Sequence, residues 1–170
     1  MKTPSPIRYD TLDSPVGRVT FAASELGVCG LALGEHWPNV LARLRTRFAG
    51  RSFEPAELAK PRRALARYFG GNIEALEEIE VDVAGTPFQQ EVWRALRSVK
   101  PGRTASYAEI ARRIGRPAAV RAVGLANGRN PVSLIVPCHR VIGSDGSLTG
   151  YGGGLDRKRW LLTHEGVLLG

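Results

Sequence analysis

Residues 106–126 read SYAEIARRIGRPAAVRAVGLA, and this stretch decides the fold of the second half of the chain. Ser106, with a glutamate three residues later, has the capping-box pattern that opens a helix. We predict a short helix that ends at Gly115 and a second helix that starts at Arg116-Pro117 and runs to about Ala126. A helix, a tight glycine turn and another helix are typical of a helix-turn-helix.

The second of these helices carries small side chains around one arginine. Its small residues are Ala118, Ala119, Ala122, Gly124 and Ala126, and its arginine is Arg121. Glycine inside a helix costs about 1 kcal/mol relative to alanine, so the missing side chain of Gly124 requires a reason. Close approach to a groove of DNA and close packing against the preceding helix both supply one. The helix pair alone therefore predicts either a DNA-binding element or a structural hairpin.

The region before this pair divides the chain. Thr86-Pro87 opens a further helix with a capping box and a proline at its first position, so we place a domain boundary near Ala84-Gly85. In the first half, β-rich runs at 7–12, 18–23 and 27–33 predict an antiparallel meander, 40–48 and 58–69 predict helices, and 79–83 predicts one more strand. We predict an α/β (α+β) protein with domains 1–84 and 85–170.

Charge distinguishes the two halves. Residues 1–84 carry 11 Lys and Arg against 11 Asp and Glu, whereas residues 85–170 carry 13 against 5, so the net charge of +8 lies in the second half. A concentrated positive surface is expected of a protein that neutralises the phosphates of a nucleic acid. Solubility alone is the competing explanation.

Composition limits the other possibilities. With 43% hydrophobic and 24% charged residues the chain is ordinary for a folded protein. We predict no membrane segment and no targeting segment, because no stretch approaches the roughly 20 apolar residues that a span needs. Cys29 lies in an apolar run, so two free thiols and a reducing, cytoplasmic location are expected. Scattered His36, His139 and His164 lack zinc-ligand spacing, and we predict no metal and no cofactor.

The run IVPCHRVI at 135–142 places Cys138 beside His139. A free thiol is only a few per cent ionised at neutral pH, so a neighbouring base would activate Cys138 as a nucleophile. Adjacent side chains do not face each other on a strand or a helix. Either the backbone turns sharply here or a water carries the proton. The alternative is a buried thiol that behaves as a small hydrophobic residue beside a half-exposed histidine.

From residue 86 to residue 166 the chain resembles the O6-alkylguanine-DNA alkyltransferase family. The matching blocks, in order, are Phe88-Gln89-Gln90-Glu91-Val92-Trp93, Thr104-Ala105-Ser106-Tyr107, Arg121-Ala122-Val123-Gly124, Asn130-Pro131, residues 135–141, Tyr151-Gly152-Gly153-Gly154 and His164-Glu165-Gly166. Over the first half the resemblance is limited to a β-rich start with helices, like the small RNase H-like N-terminal domain of this family.

The resemblance implies direct repair of O6-alkylguanine, and of O4-alkylthymine as a further substrate, in double-stranded DNA. The damaged base would flip into a pocket, and Cys138 would take its alkyl group once and keep it as a thioether. His139 would accept the thiol proton through a water, and Glu165 would orient the imidazole. Tyr107 would hydrogen-bond or protonate the leaving guanine, and Asn130 would tie the second helix to the active-site strand.

Further roles follow from the same resemblance. Arg121 would fill the space left by the flipped base. From the residues alone, Arg121 is expected to contact a phosphate and Asn130 to form a turn. The DNA-binding residues are Arg121, Ala119, Ala122, Gly124 and Tyr107, and the substrate pocket is lined by Tyr151, Gly152, Gly153, Val141 and Ser133. Minor-groove entry by the small-residue helix would make binding nearly independent of sequence. Self-association along DNA is left open.

Two departures from the family pattern bear on the pocket. Gly152 stands at a serine-like position, and Ser133 stands where other members carry proline, so both changes favour a wider site. The cysteine cluster of adaptive-response relatives is missing, which argues against a transcriptional regulator, and Cys138 excludes the cysteine-free alkyltransferase-like proteins. The competing functions are a non-catalytic helix-turn-helix protein that binds or marks DNA and a cysteine hydrolase with multiple turnovers.

Overall fold

The computed structural model describes residues 2–168. The chain divides into two units, Met1–Val83 and Ala84–Gly170, which we call unit 1 and unit 2. Each unit has its own buried apolar residues and is described separately. Both helices and strands are present, so the predicted mixed α/β class is confirmed.

Unit 1 is built on a four-stranded sheet. Strands β1 (Ile7–Ser14), β2 (Gly17–Ser24) and β3 (Gly27–Leu33) form the predicted antiparallel meander. The short strand β4 (Phe53–Pro55) pairs with β1 in parallel and gives the order β3-β2-β1-β4. Three residues that include a proline carry no alternation, so the sequence did not indicate β4.

Two helices accompany this sheet. The predicted helices are confirmed as α1 (Trp37–Arg47) and α2 (Ala59–Phe69). The further strand predicted at 79–83 is wrong, because only Val81 forms a bridge, in parallel with Val28. A 3-10 turn at Ala75–Glu78 precedes this segment, and Ile79 points into the core with 4% exposure. Burial of single apolar residues thus produced the alternation that resembled a strand.

Unit 2 begins with two capped helices. Helix α3 (Pro87–Arg97) starts at the Thr86 capping box, and the Trp93 indole Nε1 donates to the carbonyl of Ala126, 2.9 Å away. Ser106 is the cap of α4 (Tyr107–Arg113) and completes its capping box with Glu109. Both helix starts were therefore predicted at the correct residue, because a capping box is a local interaction between residues three positions apart.

The second predicted helix of the pair begins later than expected. Helix α5 is Val120–Gly128, with Ala119 as its N-cap, so the predicted start at Arg116-Pro117 is wrong. Gly115 does end the preceding helix, with a left-handed φ of 73°. The Arg116 amide then bonds the Ala111 carbonyl, 2.9 Å away, and the Ala119 amide bonds the Arg116 carbonyl, also at 2.9 Å. The first bond closes the end of α4 over Gly115 and the second forms a separate turn at 116–119, so the connection is longer than predicted.

The rest of unit 2 carries the candidate site. Strand β5 (Ala105–Ser106) pairs in parallel with β6 (Val141–Ile142), and a single 3-10 turn, Cys138–Arg140, leads directly into β6. Helix α6 (Leu155–His164) follows a loop. Within residues 2–168, no helix has the length and the apolar character needed to span a membrane.

Candidate active site

Cys138 lies at the start of the Cys138–Arg140 turn, and the backbone does turn sharply there. The residue is 5% exposed, and its neighbour His139 is completely buried. The half-exposed histidine of the alternative interpretation is therefore not present. Cys29 is also a free, buried thiol, but it belongs to β3 of unit 1.

Three buried side chains form a hydrogen-bonded chain behind the cysteine. The imidazole Nε2 of His139 lies 2.8 Å from Glu165 Oε2. Arg140 donates from Nε to Glu165 Oε1 at 2.8 Å and from Nη2 to Oε2 at 3.1 Å. Its Nη1 donates to the carbonyl of Val99 at 2.8 Å. Such bidentate pairing fixes the carboxylate in both position and orientation.

Arg140 helps to determine the charge states of Glu165 and His139. Burial raises the pKa of Glu165. The charges and hydrogen bonds of His139 and Arg140 lower it by a larger amount, so the net pKa is well below the usual 4.5. Burial lowers the pKa of His139 below 6.5, against the opposing effect of Glu165. A lowered pKa of His139 means a neutral ring, and a neutral ring cannot supply the positive charge that lowers the pKa of Glu165. Because the guanidinium is permanently charged, we assign an ionised Glu165 held by Arg140 and a neutral His139.

The partner of His139 fixes which nitrogen carries the proton. An ionised carboxylate only accepts, so Nε2 must be the N–H that donates to Glu165. Nδ1 is then the unprotonated nitrogen. It is buried and has no hydrogen-bond partner among the residues described. The residue that follows Cys138 therefore carries a basic lone pair with no partner among the described residues, as a general base requires.

The thiol of Cys138 is subject to opposing influences. Burial raises its pKa above 9.0, whereas hydrogen bonding by the side chain of Asn130, the positive charge of Lys158 and the side chain of Ser133 lower it. A buried thiol is protonated at neutral pH unless such groups favour the anion. The surroundings thus supply part of the stabilisation that a thiolate needs.

Asn130 shapes the segment that leads to Cys138. Its Nδ2 donates to the carbonyl of Val136 at 2.7 Å, and its Oδ1 accepts from the amide of Val132 at 2.9 Å. Between these contacts Leu134 adopts a left-handed φ of 72°, which is unusual for a residue with a side chain. Asn130 follows α5 by two residues, so it links the end of that helix to the backbone next to the nucleophile.

Tyr107 contacts the loop that leads into the glycine run, and the ionisation of Tyr151 in this loop is affected by Cys138. The Tyr107 hydroxyl donates to the carbonyl of Thr149 at 3.2 Å. The hydroxyl of Tyr151 is buried and has no partner among the residues described, and Arg157 donates to the carbonyl of Gly153 at 3.0 Å. Ser133 is half-buried, Val141 is buried and Gly152 is exposed.

Of the residues expected to bind DNA, Tyr107 begins α4 and the other four lie on α5 and its N-cap. Arg121 and Ala122 are exposed, whereas Ala119 and Gly124 are half-buried. A Cβ on Gly124 would meet only the Tyr107 ring, at 3.8 and 3.9 Å, which is ordinary van der Waals contact. Packing against α4 therefore does not require glycine at this position.

Two residues of the site were missed in the sequence. Arg140 lies in the run at 135–142 but was given no role. Lys158 lies three residues before Leu161 and four before Leu162, on the same buried face of α6. A lysine in register with buried leucines is a detectable signal, but it does not reveal the partners. No cluster of three or more His, Cys, Asp or Glu suited to a metal ion occurs among residues 2–168.

Comparisons with known proteins identify the family of this chain. Residues 87–167 match the family model described as 6-O-methylguanine DNA methyltransferase, DNA binding domain. The methylated-DNA–protein-cysteine methyltransferase of Mycolicibacterium paratuberculosis is 46% identical over 159 residues, which cover 94% of this chain and 92% of that protein. The chain belongs to the methylated-DNA–protein-cysteine methyltransferase family.

Other members of the family extend this result. The Salmonella typhimurium methyltransferase is 57% identical over 105 residues, and that alignment spans 62% of this chain and 61% of the relative's length. A crystal structure of the Mycobacterium tuberculosis protein in complex with DNA has a TM-score of 0.76 and 44% identity, and the match covers 93% of this chain and 92% of that one. The predicted family is therefore confirmed.

The lowered pKa of His139 predicts acid sensitivity. A histidine whose pKa is lower in the folded than in the unfolded state stabilises the fold above pH 6.5 and loses that stabilisation as the pH falls below it. We expect the free energy of unfolding to fall between pH 6.5 and 4.5 by up to about 1.4 kcal/mol per pH unit. Below pH 4.5 protonation of Glu165 adds to the loss, because its pKa is also lowered by folding.

Denaturant unfolding at a series of pH values measures this effect. The double variant His36→Gln/His164→Gln leaves His139 as the single histidine and serves as the control. It should keep the loss of stability between pH 6.5 and 4.5. Stability that is constant across this interval in the control variant would show that His139 is not buried in its neutral form.

Proposed function

We propose that this chain repairs DNA by moving the alkyl group of O6-alkylguanine in duplex DNA onto the thiol of its own Cys138. The observation that carries the proposal is the completely buried His139, which follows Cys138 in the chain, whose Nε2 is held by Glu165 and whose Nδ1 has no hydrogen-bond partner among the described residues. A nucleophile, a base and a group that orients the base are the components of an activated cysteine. Family membership supplies the substrate class.

The transfer balances as a single displacement. The sulfur of Cys138 attacks the alkyl carbon, the S–C bond forms and the C–O6 bond breaks. The thiol proton passes through a water to Nδ1 of His139, and the departing guanine anion takes up one proton, which His139 returns through water, so the net change moves one proton from sulfur to guanine and no other reactant is consumed. The thioether product has no good leaving group, because breaking it would require a thiolate to depart from carbon. Each molecule therefore acts once.

The substrate pocket is assigned to residues around this sulfur. Tyr107 is proposed to donate a hydrogen bond to the guanine ring, and backbone amides of Gly152 and Gly153 to stabilise the departing oxygen. The buried, unpartnered hydroxyl of Tyr151 supports a polar ligand nearby. Val141 and Ser133 complete the lining in this proposal.

DNA is proposed to bind through α4 and α5, acting as a helix-turn-helix. The exposed Arg121 would occupy the space of the extruded base. The small residues Ala119, Ala122 and Gly124 would let α5 approach the minor groove, where readout of sequence is poor. The positive surplus of the second half supports phosphate contacts that dominate affinity.

Several finer assignments belong to the same proposal. Residues 1–84 would form an RNase H-like supporting domain, and residues 85–170 would carry both DNA binding and the alkyl acceptor. Activity on O4-alkylthymine, self-association along DNA and a cytoplasmic location are proposed as well. The two free cysteines support a reducing compartment. No observation favours the competing non-catalytic binder. Loss of methyl transfer in Cys138→Ala distinguishes repair from binding alone.

Cys138 should carry a permanent mass increase after reaction. Incubation of the protein with a duplex that contains O6-methylguanine is expected to add one methylene to the Cys138 peptide, with at most one group per chain, as measured by peptide mass spectrometry. Cys138→Ala should bind the duplex with nearly unchanged affinity and acquire no group, and Cys29→Ser is the matched control that keeps full transfer. A modified Cys29, more than one group per chain, or an unmodified Cys138 would contradict the proposal.

The substitution Gly124→Ala distinguishes a role of Gly124 in folding from a role in DNA binding. The added methyl has room against Tyr107, so α5 should gain about 0.5–1 kcal/mol of stability. If α5 enters a groove, the same methyl lies between helix and DNA, and we expect the Kd for duplex DNA to rise about tenfold, measured by fluorescence anisotropy. Unchanged reactivity of Cys138 toward iodoacetamide is the control for an intact site. An unchanged Kd would remove α5 from the DNA interface.

A further inference from the structure

Lys158 is a completely buried cation that the reaction scheme above leaves unused. It lies on α6, and its Nζ donates to the carbonyl of Val141 at 2.5 Å and to the carbonyl of Thr149 at 2.7 Å. Both acceptors are neutral backbone groups. Lysine is almost never fully buried without a charged partner, so this arrangement calls for an explanation.

The cost of burial shows in the ionisation of this lysine. Burial lowers the pKa of Lys158 to about 8, and a Cys138 thiolate would raise it again. The reverse also holds, because the charge of Lys158 lowers the pKa of Cys138. A neutral side chain could fill the same place without this penalty, so a merely structural tie does not account for an ammonium group.

Both carbonyls that bind Lys158 belong to the site. Val141 is the first residue of β6 and directly follows the Cys138–Arg140 turn. Thr149 lies in the loop before the glycine run, and its carbonyl also accepts from the Tyr107 hydroxyl. One ammonium group therefore joins the segment of the nucleophile to the loop that is proposed to hold the base.

We propose that Lys158 is a positioning residue of the alkyl transfer, whose buried ammonium fixes the glycine-rich loop to the nucleophile strand and supplies the positive charge that stabilises the Cys138 thiolate. This inference rests on the proposed function for the identity of the reaction. The thiolate then forms in a water-poor site beside a fixed cation, where a charge interacts more strongly than it does in water.

Other titratable groups act on the same site. Burial, Arg140 and Lys158 all favour the neutral form of His139, and Glu165 opposes them. Tyr107 shares the Thr149 carbonyl with Lys158. Glu165 lies behind His139 and is neutralised by Arg140. The charge of Lys158 thus favours a thiolate at Cys138 and an unprotonated base at His139 at the same time.

The test compares variants that separate charge from hydrogen bonding. Lys158→Met removes both, Lys158→Gln keeps N–H donors without the charge, and Lys158→Arg keeps the charge. Arg159→Met removes the same charge from an exposed position on the same helix and is the matched control. The pKa of Cys138 is measured without DNA, from the pH dependence of iodoacetamide alkylation followed on the Cys138 peptide. Single-turnover methyl transfer from duplex DNA is measured over the same pH range.

In the Met and Gln variants the pKa of Cys138 should rise by at least about one unit, and transfer at neutral pH should fall about tenfold or more, with a smaller loss at higher pH. Lys158→Arg should keep the lower thiol pKa, and Arg159→Met should match the wild type. A rate that falls equally at every pH, with an unchanged thiol pKa, would overturn the inference and leave only a structural tie. Failure of the wild type to accept a methyl group would overturn the proposed function, while the iodoacetamide measurement would still decide the role of Lys158.

Discussion

The site depends on one buried carboxylate, Glu165, held between a permanent cation and an imidazole. Arg140 anchors it through two hydrogen bonds and also binds the carbonyl of Val99, just beyond the end of α3. Breaking a buried ion pair of this kind typically costs about 3–5 kcal/mol, because the remaining charge is left uncompensated. The same contacts that hold the end of α6 against the Cys138–Arg140 turn therefore also fix the orientation and tautomer of His139.

Burial of Cys138 has two opposite effects on its reactivity. A cysteine with 5% exposure is shielded from solvent, and desolvation strengthens its interactions, but desolvation also raises the pKa of the thiol. Asn130, Ser133 and Lys158 act against that rise. The net pKa of Cys138 stays above its usual value, so fixed dipoles and one buried cation offset only part of the effect of burial. Burial, assisted by the neighbouring charges of Arg140 and Lys158, keeps His139 neutral.

Features set by local interactions were predictable from the sequence, and features set by distant contacts were not. The capping boxes at Thr86 and Ser106 and the stop at Gly115 depend on residues within a few positions, and each occurs where it was expected. The strand β4 and the single bridge at Val81 depend on pairing with distant strands, and the late start of α5 follows from backbone bonds at Arg116 and Ala119 that the side-chain pattern did not reveal. Cys138 and His139 were evident as a pair, but the bond from Lys158 to Val141 joins residues 17 positions apart, and the bond from Arg140 to Val99 joins residues 41 positions apart.

The protonation state of His139 tests the central claim most directly. Nitrogen-15 NMR of the imidazole at neutral pH, with Cys138 unmodified, distinguishes a protonated from an unprotonated ring nitrogen. The account predicts a neutral ring with its proton on Nε2, bonded to Glu165, and a bare Nδ1. A ring protonated on both nitrogens, or one that carries its single proton on Nδ1, would leave no base for the thiol and would contradict the mechanism.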